Sequence, residues 1–422
     1  MKHLILSFVL LAGFISHAQT VKNISAAARP EDVGFSTERL SRIDDMINKY
    51  VADQTLPGAV AYIVRNGKVV YYKSWGSSNL DTKAPLKKDD IFRIASMTKA
   101  ITSLAALMLF EEGKFMLDDP LSKYIPEFAK PTVVKSFNSK DTTFVTEAAK
   151  REITIRDLLT HSSGIDYAVI GSETHRSIYA KHNISPGLGN LTTVLGDEIK
   201  QLARLPLAHH PGEKWTYGLN IDVVGYLIEI WSGMPFDKFL QTRVFDKLGM
   251  KDTYFTLPKE KHSRLVALHE GREDGKMQVI KNRPFGLDPD YNKFPTQYPS
   301  GGGGLASTVE DYAKFLQLFL NKGEYNGVRL LSRKTVELAL TDQLHAPVEM
   351  EIGLAFGLET EKNDYQSPSS IGTFTWGGAF NTHYWADPQE KLIGVLYTNV
   401  FNTIHGGISE KFKVLTYQAI ID

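Results

Sequence analysis

Apolar positions in the 422-residue chain follow two rhythms. Leu40, Ile43, Met46, Ile47 and Tyr50 recur at helical spacing, so Ser36 to Tyr50 is predicted as an amphipathic helix capped by Ser36 or Thr37. Gly58 to Trp75 changes to strand character: AVAYIVR and KVVYYKSW flank Asn66-Gly67, a strong hairpin signal. Ile91 to Ile94 is a short extended approach to a run that is apolar nearly all round, Ala100 to Phe110, which predicts a helix buried in a core.

Past Gly113 the chain breaks into short pieces at Asp118-Asp119-Pro120, Pro126 and Pro131. Residues 132–150 are polar and weakly patterned and read as a surface excursion, and 166–195 read as loop. Short helices are expected over Thr154–Thr160 and Glu198–Leu205, and longer ones over Ile221–Ser232 and Phe236–Phe245. Residues 251–299 are irregular, and an irregular stretch of that length suits a pocket wall. Helices return at Thr308–Leu320 and Ser332–Leu340. Strands follow at Gly353–Glu359, Gly372–Trp376, Ala379–Ala386 and Lys391–Tyr397, with a closing helix over Gly407–Ile421. Strands at both ends and helices between them predict an α+β fold, an antiparallel sheet flanked by helices. The expected division is residues 19–115 with 300–422 as the sheet region, and 116–299 as an inserted helical, loop-rich pocket wall.

Residues 1–18 change the picture at the start. Lys2 and His3 precede an apolar run from Leu4 to Ile15, too short to span a membrane, and Ser16-His17-Ala18 resembles a cleavage site. A signal peptide and export to the periplasm or medium are expected, with Gln19 leading the mature chain. Lys+Arg and Asp+Glu are both 48, so no net field points to nucleic acid or an acidic membrane surface. There is no cysteine, which excludes disulfides, thiolate metal sites and a cysteine nucleophile.

The candidate chemistry sits at the head of the buried helix. Ser96-Met97-Thr98-Lys99 places a hydroxyl at the helix N-terminus and an amine one turn later on the same face. An uncharged amine there can take the serine's proton. His209-His210 and His383 lack metal-ligand spacing, His161 reads as a structural residue of its loop, and Asp387-Pro388 as a turn. Gly301 to Ser307 has glycines resembling a dinucleotide fingerprint, but no strand precedes it, so the glycines are expected to allow close backbone approach instead. No G-x-S-x-G nucleophile elbow is present.

Ser96-x-x-Lys99, then Tyr217 in Pro211-Gly212-x-x-Trp215-x-Tyr217, then Trp376-Gly377-Gly378-Ala379 stand in an order that resembles the serine β-lactamase and penicillin-binding-protein superfamily, closest to its β-lactamase-like esterase branch. Phe92 to Lys99, Leu158 to Ile165, Asp222 to Gly225, Leu248-Gly249-Met250 and Trp385 to Pro388 carry the resemblance further. It implies a serine hydrolase without cofactor or metal: Ser96 as nucleophile, Lys99 and Tyr217 sharing the base role, and the backbone N–H groups of Ser96 and Ala379 as oxyanion hole. Trp376, Gly377, Gly378, Tyr167, Trp215 and Tyr298 are the expected substrate-binding residues. The chain departs from the superfamily pattern twice. Tyr217-Gly218-Leu219 replaces Tyr-x-Asn, with Asn220 one place late, and Trp376 stands where a Lys or His would bind a substrate carboxylate. Both departures favour a carboxylesterase for small esters. A β-lactamase or D-alanyl peptidase on the same residues, or an acylated sensor that does not turn over, are the alternatives. Small-molecule esters or amides are the expected partners, with no nucleic acid and no membrane span.

Overall fold

The central strand, Gly58–Arg65, is buried at all eight positions, and its two faces feed two different cores. Val60, Tyr62 and Val64 enter the main core, while Ala59, Ala61 and Ile63 enter a second one, the period-two alternation of a strand covered on both sides. The computed structural model describes residues 23–422 apart from 27–28, 190–191, 284–285, 346, 355 and 403–406, so the expected signal peptide lies outside the described residues.

The hairpin turns where expected: Asn66 and Gly67 both have positive φ (53° and 72°), the backbone of a type I′ turn. Its second strand extends to Lys68–Asn79. From one edge, the eight-stranded sheet runs Ser25–Ala26, Lys68–Asn79, Gly58–Arg65, Leu392–Tyr397, Thr382–Asp387, Phe374–Gly378 and Gly357–Leu358, with Ala84–Pro85 paired beside Lys68–Asn79. All pairings are antiparallel except that of Ser25–Ala26. The first hairpin thus joins the last strands, with Arg65 opposite Leu392 and Val60 opposite Tyr397.

Helices Thr37–Ala52 and Ile408–Tyr417 cover one face through Leu40, Ile43, Ile47 and Phe412. Ser36 caps the first of them by accepting from the Arg39 N–H. Helix Val309–Leu320, capped by Thr308, packs on the other face. Behind it lies Thr98–Glu111, buried at 12 of 14 positions and packed against helix Asn220–Ser232. Among the described residues no helix is long and apolar enough to cross a membrane.

The chain departs from the sequence expectation in four places, three of them in its middle. Residues 132–150 hold a β-hairpin, Thr132–Asn138 paired with Thr143–Ala148. Only Val133 is buried in it, so no apolar alternation marks the strands. Residues 166–195 contain a helix, Glu173–Lys181, capped by Ser172; its inward face is His175, Ile178 and Tyr179, too mixed to register as a stripe. The helix expected at Glu198–Leu205 starts earlier, at Leu195–Leu202, because Leu195, Ile199 and Leu202 share the buried side. The strand expected from Ala379 begins only at Thr382, after Asn381 turns with φ 54°.

Candidate active site

Ser96 enters the site on a strained backbone. Ala95 has φ 44°, the left-handed region that a residue with a Cβ rarely occupies, and Ala95–Met97 forms a 3-10 turn leading into the helix Thr98–Glu111. This turn lifts Ser96 to a half-buried position facing a cleft. The strand carrying Gly377-Gly378 runs against the same turn. A Cβ on Gly378 would overlap the Ile94 carbonyl oxygen and the Thr382 hydroxyl. Glycine is therefore what lets the strand bring Ala379 to the cleft beside Ser96. Gly378→Ala should lower melting stability by about 1–3 kcal/mol and cut activity with it. A thermal melt paired with an ester assay checks this, and a variant of full stability and activity would contradict the packing argument.

Lys99 is 1% exposed. Its Nζ lies 2.7 Å from the Gly302 carbonyl oxygen, 2.9 Å from Tyr167 Oη and 3.3 Å from Ser96 Oγ. The Gly302 carbonyl can only accept, and Tyr167 Oη accepts a second N–H. The third position on Nζ faces Ser96, where it can carry a proton or a lone pair according to the step. The Tyr217 ring closes the other side, its centroid 4.6 Å from Nζ.

Tyr217 is itself wedged. Trp215 stacks on it at 5.7 Å and 16°, Trp376 packs at 5.9 Å, and the His161 ring at 4.9 Å. His161 has φ 58°, and its Nδ1 accepts from Asn220 Nδ2 (3.1 Å) and the Gly218 N–H (3.5 Å). Burial first, and then Lys99, hold the His161 pKa well below its ordinary value, so its ring is a neutral prop rather than a proton donor. Asn220 is fully buried, tied to His161, Ser163 and the Ile165 carbonyl, and so cross-links two loops instead of facing the cleft.

Behind Lys99 lies a polar layer with no assigned role in the sequence reading. Asp222 is fully buried and accepts from Ser300 Oγ at 2.7 Å. A Cβ at Gly302 would overlap the other Asp222 oxygen, so glycine lets the Lys99 acceptor sit directly on this carboxylate. Tyr167, the expected substrate contact, lines the cleft and also holds Lys99. Burial, then Tyr217 and Asp222, push its phenol pKa well above the ordinary value, so it stays protonated.

The structure brings Ser96, Lys99, Tyr217, Tyr167, Ala379 and Gly377-Gly378 together. Trp215 and Trp376 reach the site as packing around Tyr217. Tyr298 does not line the Ser96 cleft: it is 2% exposed, beside the Asp222 carboxylate, because the chain turns its ring inward before Ser300. In sequence Asp222 stood within a segment that carries the family resemblance, a lone charge in the run from Ile221 to Leu227, with no role assigned to its carboxylate. Among the described residues no cluster of three or more His, Asp or Glu could hold a metal.

Burial raises the Asp222 pKa from 3.8 to about 6, more than the Ser300 hydrogen bond and Lys99 lower it. The folded chain thus holds this proton more tightly than the unfolded one, and stability falls as pH rises from about 4 to about 6, by up to about 3 kcal/mol. Asp222→Asn should therefore gain melting temperature relative to the parent as pH is raised over that window. A gain that shrinks with pH would contradict the sign.

The beta-lactamase family profile matches residues 43–416. Protein Rv1367c of Mycobacterium tuberculosis is 32% identical over 353 residues, covering 80% of this chain and 84% of that protein. Esterase EstB of Burkholderia gladioli is 28% identical, covering 93% and 99%. The solved structure of EstCE1, described as a hydrolase with promiscuous acyltransferase activity, superposes with a TM-score of 0.78 over 90% of this chain and 99% of that one; at 24% identity it is a likeness of fold. With the fold and the profile in agreement over most of its length, the chain belongs to the beta-lactamase family and is a serine hydrolase.

Proposed function

We propose that this protein is an exported carboxylesterase that cleaves small esters through an acyl-enzyme on Ser96. The observation that carries the reading is the seating of Lys99 Nζ against Ser96 Oγ, between Tyr167, Gly302 and the Tyr217 ring. Ser96 Oγ attacks the ester carbonyl while its proton passes to the Lys99–Tyr217 pair. The backbone N–H groups of Ser96 and Ala379 receive the developing oxyanion, and such donors contribute about 3–4 kcal/mol each. The alcohol leaves with that proton. Water then attacks the acyl carbon and gives one proton to the Lys99–Tyr217 pair; the Oγ–C bond breaks, and that proton passes to Oγ.

The cleft beside Ser96 is small, about 50 Å³, and is walled by Val169, Ile170, Pro186 and Leu188, which suits a small uncharged acyl group. EstB is named an esterase, which favours the same choice. Residues 1–18 supply the export signal, on sequence grounds.

A substrate panel tests the choice of reaction. One preparation is assayed on p-nitrophenyl acetate and butyrate, nitrocefin and a D-Ala-D-Ala peptide. Ester kcat/KM should exceed the others by about two orders of magnitude or more, because Trp376 supplies no cation at the position where the superfamily holds their carboxylate, and their C–N bonds release a poorer leaving group than p-nitrophenolate. Nitrocefin or peptide turnover above ester turnover would replace this reading with the β-lactamase or peptidase one. For export, the N-terminus recovered from the periplasm or medium should be Gln19.

A further inference from the structure

A second and larger groove opens beside the catalytic cleft. It has a volume of about 540 Å³, is open to solvent, and meets the cleft at Ile170, which lines both spaces and is 54% exposed. The two are chemically unlike. The cleft wall is mainly aliphatic, whereas the groove is lined by Thr174, His209, Lys214, Trp215, Thr216 and Tyr217. Tyr217 belongs to the groove and to the catalytic group at once.

That sharing assigns the two spaces. The leaving oxygen must take a proton as the C–O bond breaks, and the proton is carried by the Lys99–Tyr217 pair. The alcohol part of the ester therefore has to lie on the Tyr217 side, in the groove, while the acyl part stays in the aliphatic cleft.

The charges around the groove then say what alcohol it takes. Neighbouring cations are occupied: Lys150 pairs with Glu213, and Arg151 binds Asp157 through two nitrogens. His210 lies 3.5 Å from Glu147. Asp166, the carboxylate in the wall, is buried and accepts from the Tyr167 N–H and from the Ser172 N–H and hydroxyl, with His175 Nδ1 3.8 Å away. His175 and His209 are buried, and that burial lowers the pKa of each, so both rings are neutral. Lys214 is different. It is exposed on the groove wall, next in sequence to Trp215, with no ion pair or hydrogen bond among the described residues.

We infer that the groove is the leaving-group subsite and that it selects esters whose alcohol part carries an anionic group, held by Lys214 with the ring of Trp215 beside it. This rests on the acyl-enzyme reading above and adds a substrate class to it: an uncharged acyl group on an alcohol bearing a carboxylate or similar anion.

Two chromogenic acetates test it, those of 4-nitrophenol and of 4-hydroxy-3-nitrobenzoate, the second bearing a carboxylate on the leaving phenol. The quantity read is the ratio of kcat/KM, anionic over neutral ester, which cancels differences in basal activity between variants. Lys214→Gln should lower this ratio about tenfold and Lys214→Glu more, and sodium chloride should lower it in the parent protein. An unchanged ratio in both variants overturns the proposal. If the parent hydrolyses neither ester, the esterase reading fails separately. The subsite is then read by calorimetric binding of free 4-hydroxy-3-nitrobenzoate, which Lys214→Gln should weaken about tenfold. Equal binding by parent and variant would overturn the subsite.

Discussion

Replacing Ser96 with alanine should abolish ester hydrolysis, lowering kcat/KM by about 10⁴-fold or more. Lys99, Tyr217 and the oxyanion donors can still bind a substrate, but no oxygen remains to hold the acyl group. The variant should also fail to take up a fluorophosphonate label that the parent binds on Ser96, read by intact-protein mass spectrometry. Stability should hardly change, because Ser96 is half-buried and among the described residues its hydroxyl makes one long contact, 3.3 Å to Lys99. Retained turnover would mean that the nucleophile lies elsewhere.

Lys99→Met is the second large effect, and it separates chemistry from folding. Methionine fills much of the volume of the buried stem but carries no N–H and no base. The Gly302 carbonyl and Tyr167 Oη lose their donor inside the core, at about 1–3 kcal/mol. kcat/KM should fall by about 10³-fold, with most of the loss in kcat, since the amine acts on the proton in flight and not on the resting substrate. A lowered melting temperature should accompany it, which Ser96→Ala does not show. A variant that melts lower yet keeps its kcat would leave Lys99 a structural residue only.

These expectations show which parts of the site a reader of the sequence could reach. Ser96 lies in the 3-10 turn that opens directly into the helix carrying Lys99, three residues on, so their pairing follows from short spacing. The sheet strands were legible because Ala59 to Val64 is an unbroken run of nonpolar and aromatic residues and the turn after it is Asn-Gly. The partners that complete Lys99 were not. Tyr167 comes from 68 residues away and Gly302 from 203, and no local pattern specifies either contact. Tyr167 was read as a substrate wall, and its hold on the amine appears only when the loops are folded together. Asp222 and Ser300 escaped for the same reason. Tyr298 was misplaced because an aromatic residue looks the same in sequence whether it faces a ligand or a buried carboxylate. The hairpin over 132–148 was missed on different grounds, since only Val133 is buried in it and such strands carry no regular apolar alternation.

The pairing of Gly58–Arg65 with Leu392–Tyr397 has a consequence for how the molecule comes into being. The two central strands of the sheet are about 330 residues apart, so their ends meet only after a long loop is closed. During synthesis the N-terminal hairpin waits with an unpaired edge until nearly the whole polypeptide has emerged. Assembly should be slow, and the nascent chain should depend on being shielded from aggregation. A nonsense codon that removes only the last thirty residues would deprive the sheet of its middle and Ser96 of its support, although Ser96, Lys99 and Tyr217 are still encoded.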